Sequence, residues 1–296
     1  MPADTTVRTT SATKSRPASS AAPGVRRRRP RAKKALRGVI AWVIALIVFF
    51  PIAWLLLTAF KPSAETFSSG WPKDWTLENI RYVLTEIDIK RYLLNSAIVS
   101  VVVTVLALLF HSMAAYALAR LRFRGSGFAF GAIVSTMLVS LPVILVPLFL
   151  IVRELGMLNS YAGLIVPAIF NAFGIFLLRQ YYLNVPKELE DAAELDGCGY
   201  PGLYWHVILP LSRPALASLS VLFFLANWNA FLWPLVTTSD PDLAVIQVGM
   251  ASLQGQYATA YNYVLAAALI AVIPTILVFL IGQRWLVDSM KTSGLK

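Results

Sequence analysis

Charged residues are spread unevenly along this chain. Six long stretches contain none: residues 38–60, 92–119, 125–152, 155–178, 214–239 and 243–283. Each has at least 23 residues, and about 20 apolar residues in helical form cross the hydrocarbon core of a bilayer. A charge at the middle of such a helix costs about 2.5–3.5 kcal/mol on insertion scales, so long charge-free apolar runs mark segments suited to lipid. The last stretch has 41 residues, but Gln254, Gln256, Thr259 and Asn262 lie among small residues in its first part, so only 263–283 reads as a span. The gap 197–212 is short, contains Gly199, Pro201, Gly202, His206 and Pro210, and does not cross. The pattern predicts an all-α, polytopic membrane protein with six transmembrane helices and a long polar loop between the fourth and fifth.

Prolines fall inside the spans at positions 51, 142, 147, 167, 234 and 274. Proline removes a backbone hydrogen bond and kinks a helix, which membrane proteins tolerate where neighbours or water satisfy the freed carbonyl. The segment between the first two spans, residues 61–91, carries five basic and five acidic residues with Trp71 and Trp75, which suits a short folded segment at the interface. The connection after the third span is brief, near Arg153 to Ser160. The one after the fifth, 237–262, reads as a polar loop.

Composition agrees with lipid as solvent: 57% of the 296 residues are hydrophobic and 14% charged, with a mean hydropathy of +0.66. The net charge of +11 carries topological information. With the N-terminus in the cytoplasm, residues 1–38, 119–127, 179–213 and 284–296 lie inside and hold 20 of the 26 Lys and Arg residues. Acids divide almost evenly, 7 inside and 8 outside. This is the asymmetry of the positive-inside rule, and both termini are expected to be cytoplasmic. The Arg26–Arg29 run, directly before an apolar span, is expected to anchor on membrane lipid headgroups rather than bind nucleic acid. Residues 1–38 read as a disordered basic cytoplasmic tail, and 39–296 as the six-span domain. The first apolar stretch is too long for a signal-peptide core and no small-residue cleavage site follows, so it reads as an uncleaved span.

Cys198 is the single cysteine, and with two histidines no Cys/His metal set is expected. No G-x(4)-G-K-[ST] nucleotide loop occurs. Glu194 and Asp196 lack a nucleophile or metal partner, so no catalytic residue is expected and the chain does not read as an enzyme. His111 in the second span reads as a packed residue rather than a proton relay. The spans hold no carboxylate, which argues against an ion-gradient-driven transporter. A membrane enzyme acting on lipid-linked substrates would need ionisable groups clustered at one interface, and the spans supply only His111.

The loop from Arg179 to Arg213 is the specific signal. Asn184-Val185-Pro186-Lys187-Glu188 starts a helix, with proline in the first turn and acids at the positive end of the dipole. Leu189, Ala192, Ala193 and Asp196 then recur at i, i+3, i+4, i+7 on one face, and Gly197 and Gly199 end the helix. A turn through Pro201-Gly202 leads to a second short segment that stops at Leu209-Pro210.

Asp191-Ala192-Ala193, Gly197 three residues on, and Val207-Ile208-Leu209-Pro210 after nine more resemble the E-A-A-x(3)-G-x(9)-I-x-L-P signature of ATP-binding-cassette importer permeases. Asp191 replaces the usual Glu, with Glu190 adjoining it, and Val207 replaces Ile. Ala114-Ala115-Tyr116-Ala117 with Arg120, Phe123 and Gly125 is similar to the end of the second span in maltose-type, carbohydrate-importing members. So are Leu155-Gly156-Met157-Leu158-Asn159, Phe176-Leu177-Leu178-Arg179-Gln180, and Trp228-Asn229 with Phe231. The resemblance implies one permease subunit of a bacterial cell-membrane importer for a sugar or oligosaccharide, with a polyol or glycerol-phosphate-like solute as the alternative. It further implies a coupling loop at 184–210 in which Glu190, Asp191, Ala192, Ala193, Asp196, Gly197, Leu209 and Pro210 meet a separate ATPase. The partners implied are a second permease, two ATPase subunits that hold ATP and Mg, and an extracytoplasmic solute-binding protein.

Asn227, Trp228 and Asn229 place two amides and an indole in one turn of the fifth span. Unsatisfied amides in hydrocarbon are costly, so these residues face protein or a water-filled path. Either they contact the solute, amides to hydroxyls and indole to sugar ring, or they bond neighbouring helices. The sequence leaves both open.

Overall fold

The structure, a computed structural model, describes residues 31–68, 70–257 and 260–293. The first helix, α1 (Arg31–Ala59), begins inside the stretch expected to be tail, because residues 31–37 (Arg-Ala-Lys-Lys-Ala-Leu-Arg) are strong helix formers with no breaker among them. Residues 1–30 of the expected tail lie outside the described residues.

The chain divides into two units at Pro51. The described part of the first is the opening length of α1, whose apolar side chains, such as Trp42 at 73% exposure, stand open as lipid contact requires. The second unit, residues 52–296, holds the remaining elements. In order these are α2 (Glu78–Thr85), α3 (Ile89–Arg120), α4 (Ser126–Ser135), α5 (Leu141–Glu154), α6 (Tyr161–Ile169) and α7 (Ala172–Leu183). They continue with α8 (Glu188–Leu195), α9 (Tyr200–Leu211), α10 (Arg213–Trp228), α11 (Leu232–Thr237), α12 (Ile246–Gln256) and α13 (Tyr261–Ser293).

Parts of α1 and α13 and the whole of α3 are single helices long and apolar enough to cross a membrane, and three bent pairs bring the number of possible spans to six. Span three is α4 with α5, bent by 105°, and span four is α6 with α7, bent by 41°. The third pair, α9 and α10 at 74°, sets the non-crossing loop segment against the fifth span. That span breaks again at 229–231 before α11.

The breaks have local causes. Pro167 in α6 cannot donate to the carbonyl four residues back, which is Gly163. The Trp233 indole of α11 donates to that carbonyl instead, at 3.0 Å. At the α6–α7 break the Asn171 amide donates to His111 Nε2 at 3.1 Å, and the Asn171 side chain accepts from the Phe173 amide at 2.8 Å. His111 is 1% exposed and stands edge-on to Phe223.

Helix α3 is the centre of the unit, packed against α6, α7 and α10. One core cluster, with Ala107, Ala115, Leu178, Tyr182, Leu203 and Ile208, fills the end near the 184–212 loop. Another, with Val83, Ile89, Trp228, Ile246 and Ala266, fills the far end. There the 61–91 segment is folded around Asn79, whose amide donates to the Ala59 and Lys61 carbonyls at 3.0 and 2.7 Å and accepts from Asn262 at 2.8 Å.

The 237–262 stretch differs from a plain loop, since it contains α12. Asn95 donates to the carbonyls of Asp242 (2.9 Å) and Ala244 (3.0 Å), and Ser96 Oγ accepts from the Ile246 amide at 2.7 Å. Helix α12 then buries Ile246, Val248, Gly249 and Leu253.

Candidate functional site

Two features are candidates for function, and the first is the loop between spans four and five. Helix α8 opens with Glu188, Glu190 and Asp191 in its first turn, where carboxylates favour the helix dipole. It closes at Gly197, whose φ of +85° suits glycine. The Gly197 amide donates to the Glu194 carbonyl and the Cys198 amide to that of Ala193, both at 2.9 Å, the double bond of a Schellman turn. In α9, a π-turn at Tyr204–Ile208 lies ahead of Pro210, whose ring does not fit against the His206 carbonyl in a regular helix.

The loop presents Leu189, Asp191, Ala192, Asp196 and Gly197 outward, together with Leu195, which is 90% exposed. Ala193 packs inward on the core, and Leu209 and Pro210 are half-buried. Glu190 also turns inward. Its carboxylate lies 2.7 Å from Arg120 Nε, with the two side chains 12% and 5% exposed. Burial raises the Glu190 carboxyl above the ordinary glutamate range, the Arg120 charge opposing that shift.

The second feature is a cavity of about 570 Å³ between α3, α5, α10, α11 and the α6–α7 break. Its wall is mainly aliphatic and aromatic, with Ser96, Thr136, Asn171 and Asn227 as polar points and no ionisable side chain among the described lining residues. Asn227 is in the wall, its amide donating to the Phe223 carbonyl at 2.8 Å. Trp228 is 2% exposed and stacks on Phe224 in the far-end core, 5.6 Å between centroids. Asn229 is exposed and accepts from Gln247 at 3.3 Å. Successive residues on a helix point about 100° apart, so three neighbours in sequence reach three different surroundings. Asn171 and Thr136 escaped the sequence reading because helix breaks bring them to the wall.

Helical throughout its described residues, with span-length apolar helices, a mainly apolar cavity wall carrying four polar points, and a protruding acidic and apolar loop, this chain fits a transport component of a membrane. Residues 112–292 match the family described as binding-protein-dependent transport system inner membrane component. The arabinooligosaccharides transport system permease protein AraQ of Halalkalibacterium halodurans is 35% identical over 277 residues, which cover 89% of this chain and 99% of that protein. The sn-glycerol-3-phosphate transport system permease protein UgpE of Brucella abortus is 32% identical over 257 residues, 83% of this chain and 91% of that one. A chain in the crystal structure of a bacterial ABC transporter involved in the import of the acidic polysaccharide alginate superposes with a TM-score of 0.78 at 26% identity, covering 87% of this chain and 97% of that chain. The chain therefore belongs to the inner membrane components of binding-protein-dependent transport systems: it is a permease subunit of an ATP-binding-cassette importer. Membership implies a partner ATPase and a solute-binding protein.

Proposed function

We propose that this chain is one of two different permease subunits lining the path for a neutral carbohydrate through a bacterial cell membrane, with both termini in the cytoplasm. The observation that carries the solute class is the cavity wall, whose described residues offer hydroxyl and amide groups among apolar surface and no ionisable side chain. Hydroxyl-rich solutes bond amides and hydroxyls, and apolar faces cover their C–H surfaces. A glycerol-phosphate-like anion would meet no cation among the described lining residues, although a neutral polyol fits the same chemistry. The excess of Lys and Arg in the segments read as inside supports the orientation.

The loop at 184–210 is the coupling element. Its outward face, Asp191, Ala192, Asp196 and Gly197 with Leu195, suits a groove on an ATPase that supplies basic rim and apolar floor. Glu190, Ala193, Leu209 and Pro210 shape the loop from within. ATP and Mg reside on two copies of that ATPase, and the solute-binding protein delivers the sugar from outside.

The test is reconstitution of the complex with the subunits encoded beside it, followed by ATP hydrolysis across a solute panel. Neutral oligosaccharides are expected to stimulate hydrolysis; stimulation by glycerol phosphate alone overturns the reading. In the same system Asn227→Leu is expected to lower uptake about tenfold, the worth of one buried hydrogen bond to the solute. Its ATPase is expected to stay bound. Uptake at the parental rate in Asn227→Leu removes this residue from the path.

A further inference from the structure

Arg120 belongs to a motif by which the second span is recognised, yet neither the cavity wall nor the outward loop face uses it. Its guanidinium, 5% exposed, serves the loop from behind. Nη2 donates to the Val185 carbonyl at 2.6 Å, and Nε lies 2.7 Å from the Glu190 carboxylate, so one planar fork grips both the entry and the first turn of α8. The contact to Glu190 is an ion pair without the direction of a hydrogen bond. Earlier along α3, the Tyr116 hydroxyl donates to the Tyr200 carbonyl at 3.3 Å, and the hydroxyls of Ser112 and Tyr204 share a 2.6 Å hydrogen bond. The last turns of α3 thus hold both limbs of a loop that is 65 or more residues away in sequence.

Stability alone does not account for such a pair. Taking two charges out of water commonly costs more than their attraction returns, whereas removing one partner leaves an uncompensated buried charge. What the pair secures is one register of α8 on α3. The same helix puts Ser96, Val99, Val103 and Ala107 into the cavity wall. Its 32 residues extend about 48 Å.

We propose that Arg120 is a positioning residue for energy coupling: it locks the loop to α3 and makes the second span the rod through which loop displacement reaches the cavity wall. This rests on the reading that the loop docks on the ATPase. In that arrangement the flanking spans four and five tether the loop, and α3 carries its motion.

The complete importer in proteoliposomes tests this with Arg120→Lys and Arg120→Gln. Both variants are expected to co-purify with their ATPase at parental stoichiometry. Solute delivered per ATP hydrolysed is expected to fall about threefold for lysine, which keeps the charge without the fork, and about tenfold for glutamine. Glu190→Gln keeps the side-chain shape and is expected to lower the same ratio about threefold. A parental ratio in Arg120→Gln overturns the proposal. So does loss of both Arg120 variants from the membrane while Glu190→Gln keeps the parental ratio, because the arginine is then needed only for folding. Failure of the docking reading looks different: there Gly197→Trp would still retain its ATPase.

Discussion

Gly197→Trp is expected to reduce solute uptake about 100-fold, equivalent to roughly 2.7 kcal/mol, in a chain that still inserts into the membrane at parental levels. Two effects combine. A residue with a Cβ pays about 1–2 kcal/mol to adopt the left-handed conformation that Gly197 holds at φ +85°. Apart from its two chain neighbours, no described heavy atom lies within 4 Å of a Cβ placed there, so the indole projects outward, into the space that the docking proposed above gives to the ATPase. Gly197→Ala pays the backbone cost with little bulk and is expected to lose about tenfold. Co-purification of the ATPase separates the effects, since tryptophan should lose it and alanine should keep most of it. Tryptophan and parental chains that bind ATPase equally would end the docking role assigned to this turn.

Gly249→Val should be nearly as damaging, at the opposite end of the molecule. A Cβ at Gly249 would stand 2.3 Å from Tyr92 Cδ2 and 2.6 Å from Cε2, closer than any relaxed contact. The ring cannot swing freely, because it packs against the far-end core cluster that includes Ile89 and Ile246. Overpacking of this kind costs about 1–3 kcal/mol, enough to lift α12 from α3. Uptake should fall at least about tenfold, and Gly249→Val combined with Tyr92→Ala should recover most of it. A reporter at Leu253, 4% exposed, makes the displacement visible. Leu253→Cys in a Cys198→Ser background should resist maleimide in the parent and react in the valine variant. Labelling that stays at the parental level would show α12 still seated and rule out this account.

Those two glycines differ in how legible they were. Gly197 announces itself, since a helical run with i, i+3, i+4, i+7 spacing stops there and proline and glycine follow. Gly249 gives no such sign. Residues 246–256 mix Gln, Gly, Met, Ala and Ser without a clear period, and their seat comes from Ser96, which takes the Ile246 amide, and Tyr92, which lies against Gly249, about 150 residues away in sequence. The spans were legible because insertion into lipid penalises charge residue by residue, a local property. Their breaks were legible only as prolines. Which proline bends its span, and what donates to the orphaned carbonyl, depends on partners such as Trp233 for Gly163. Glu190 followed the same rule: a carboxylate beside the signature reads as part of the outward face until Arg120, 70 positions earlier, is seen to draw it inward.

The 105° corner between α4 and α5 bears on the life of this chain in a cell. Met137, Leu138, Val139 and Ser140 stand exposed there, midway along the stretch read as the third span. Bent backbone at that depth persists only when other protein or a water-filled cavity covers it. Thr136, Met137 and Val139 line the cavity from within this chain, and if the second permease proposed above covers the other side of the corner, a chain made without it carries an uncovered bend within the bilayer. Deleting the second permease proposed above should empty the membrane of this subunit while its messenger RNA stays constant. Abundance is then fixed by assembly rather than by synthesis, which keeps idle half-channels from accumulating.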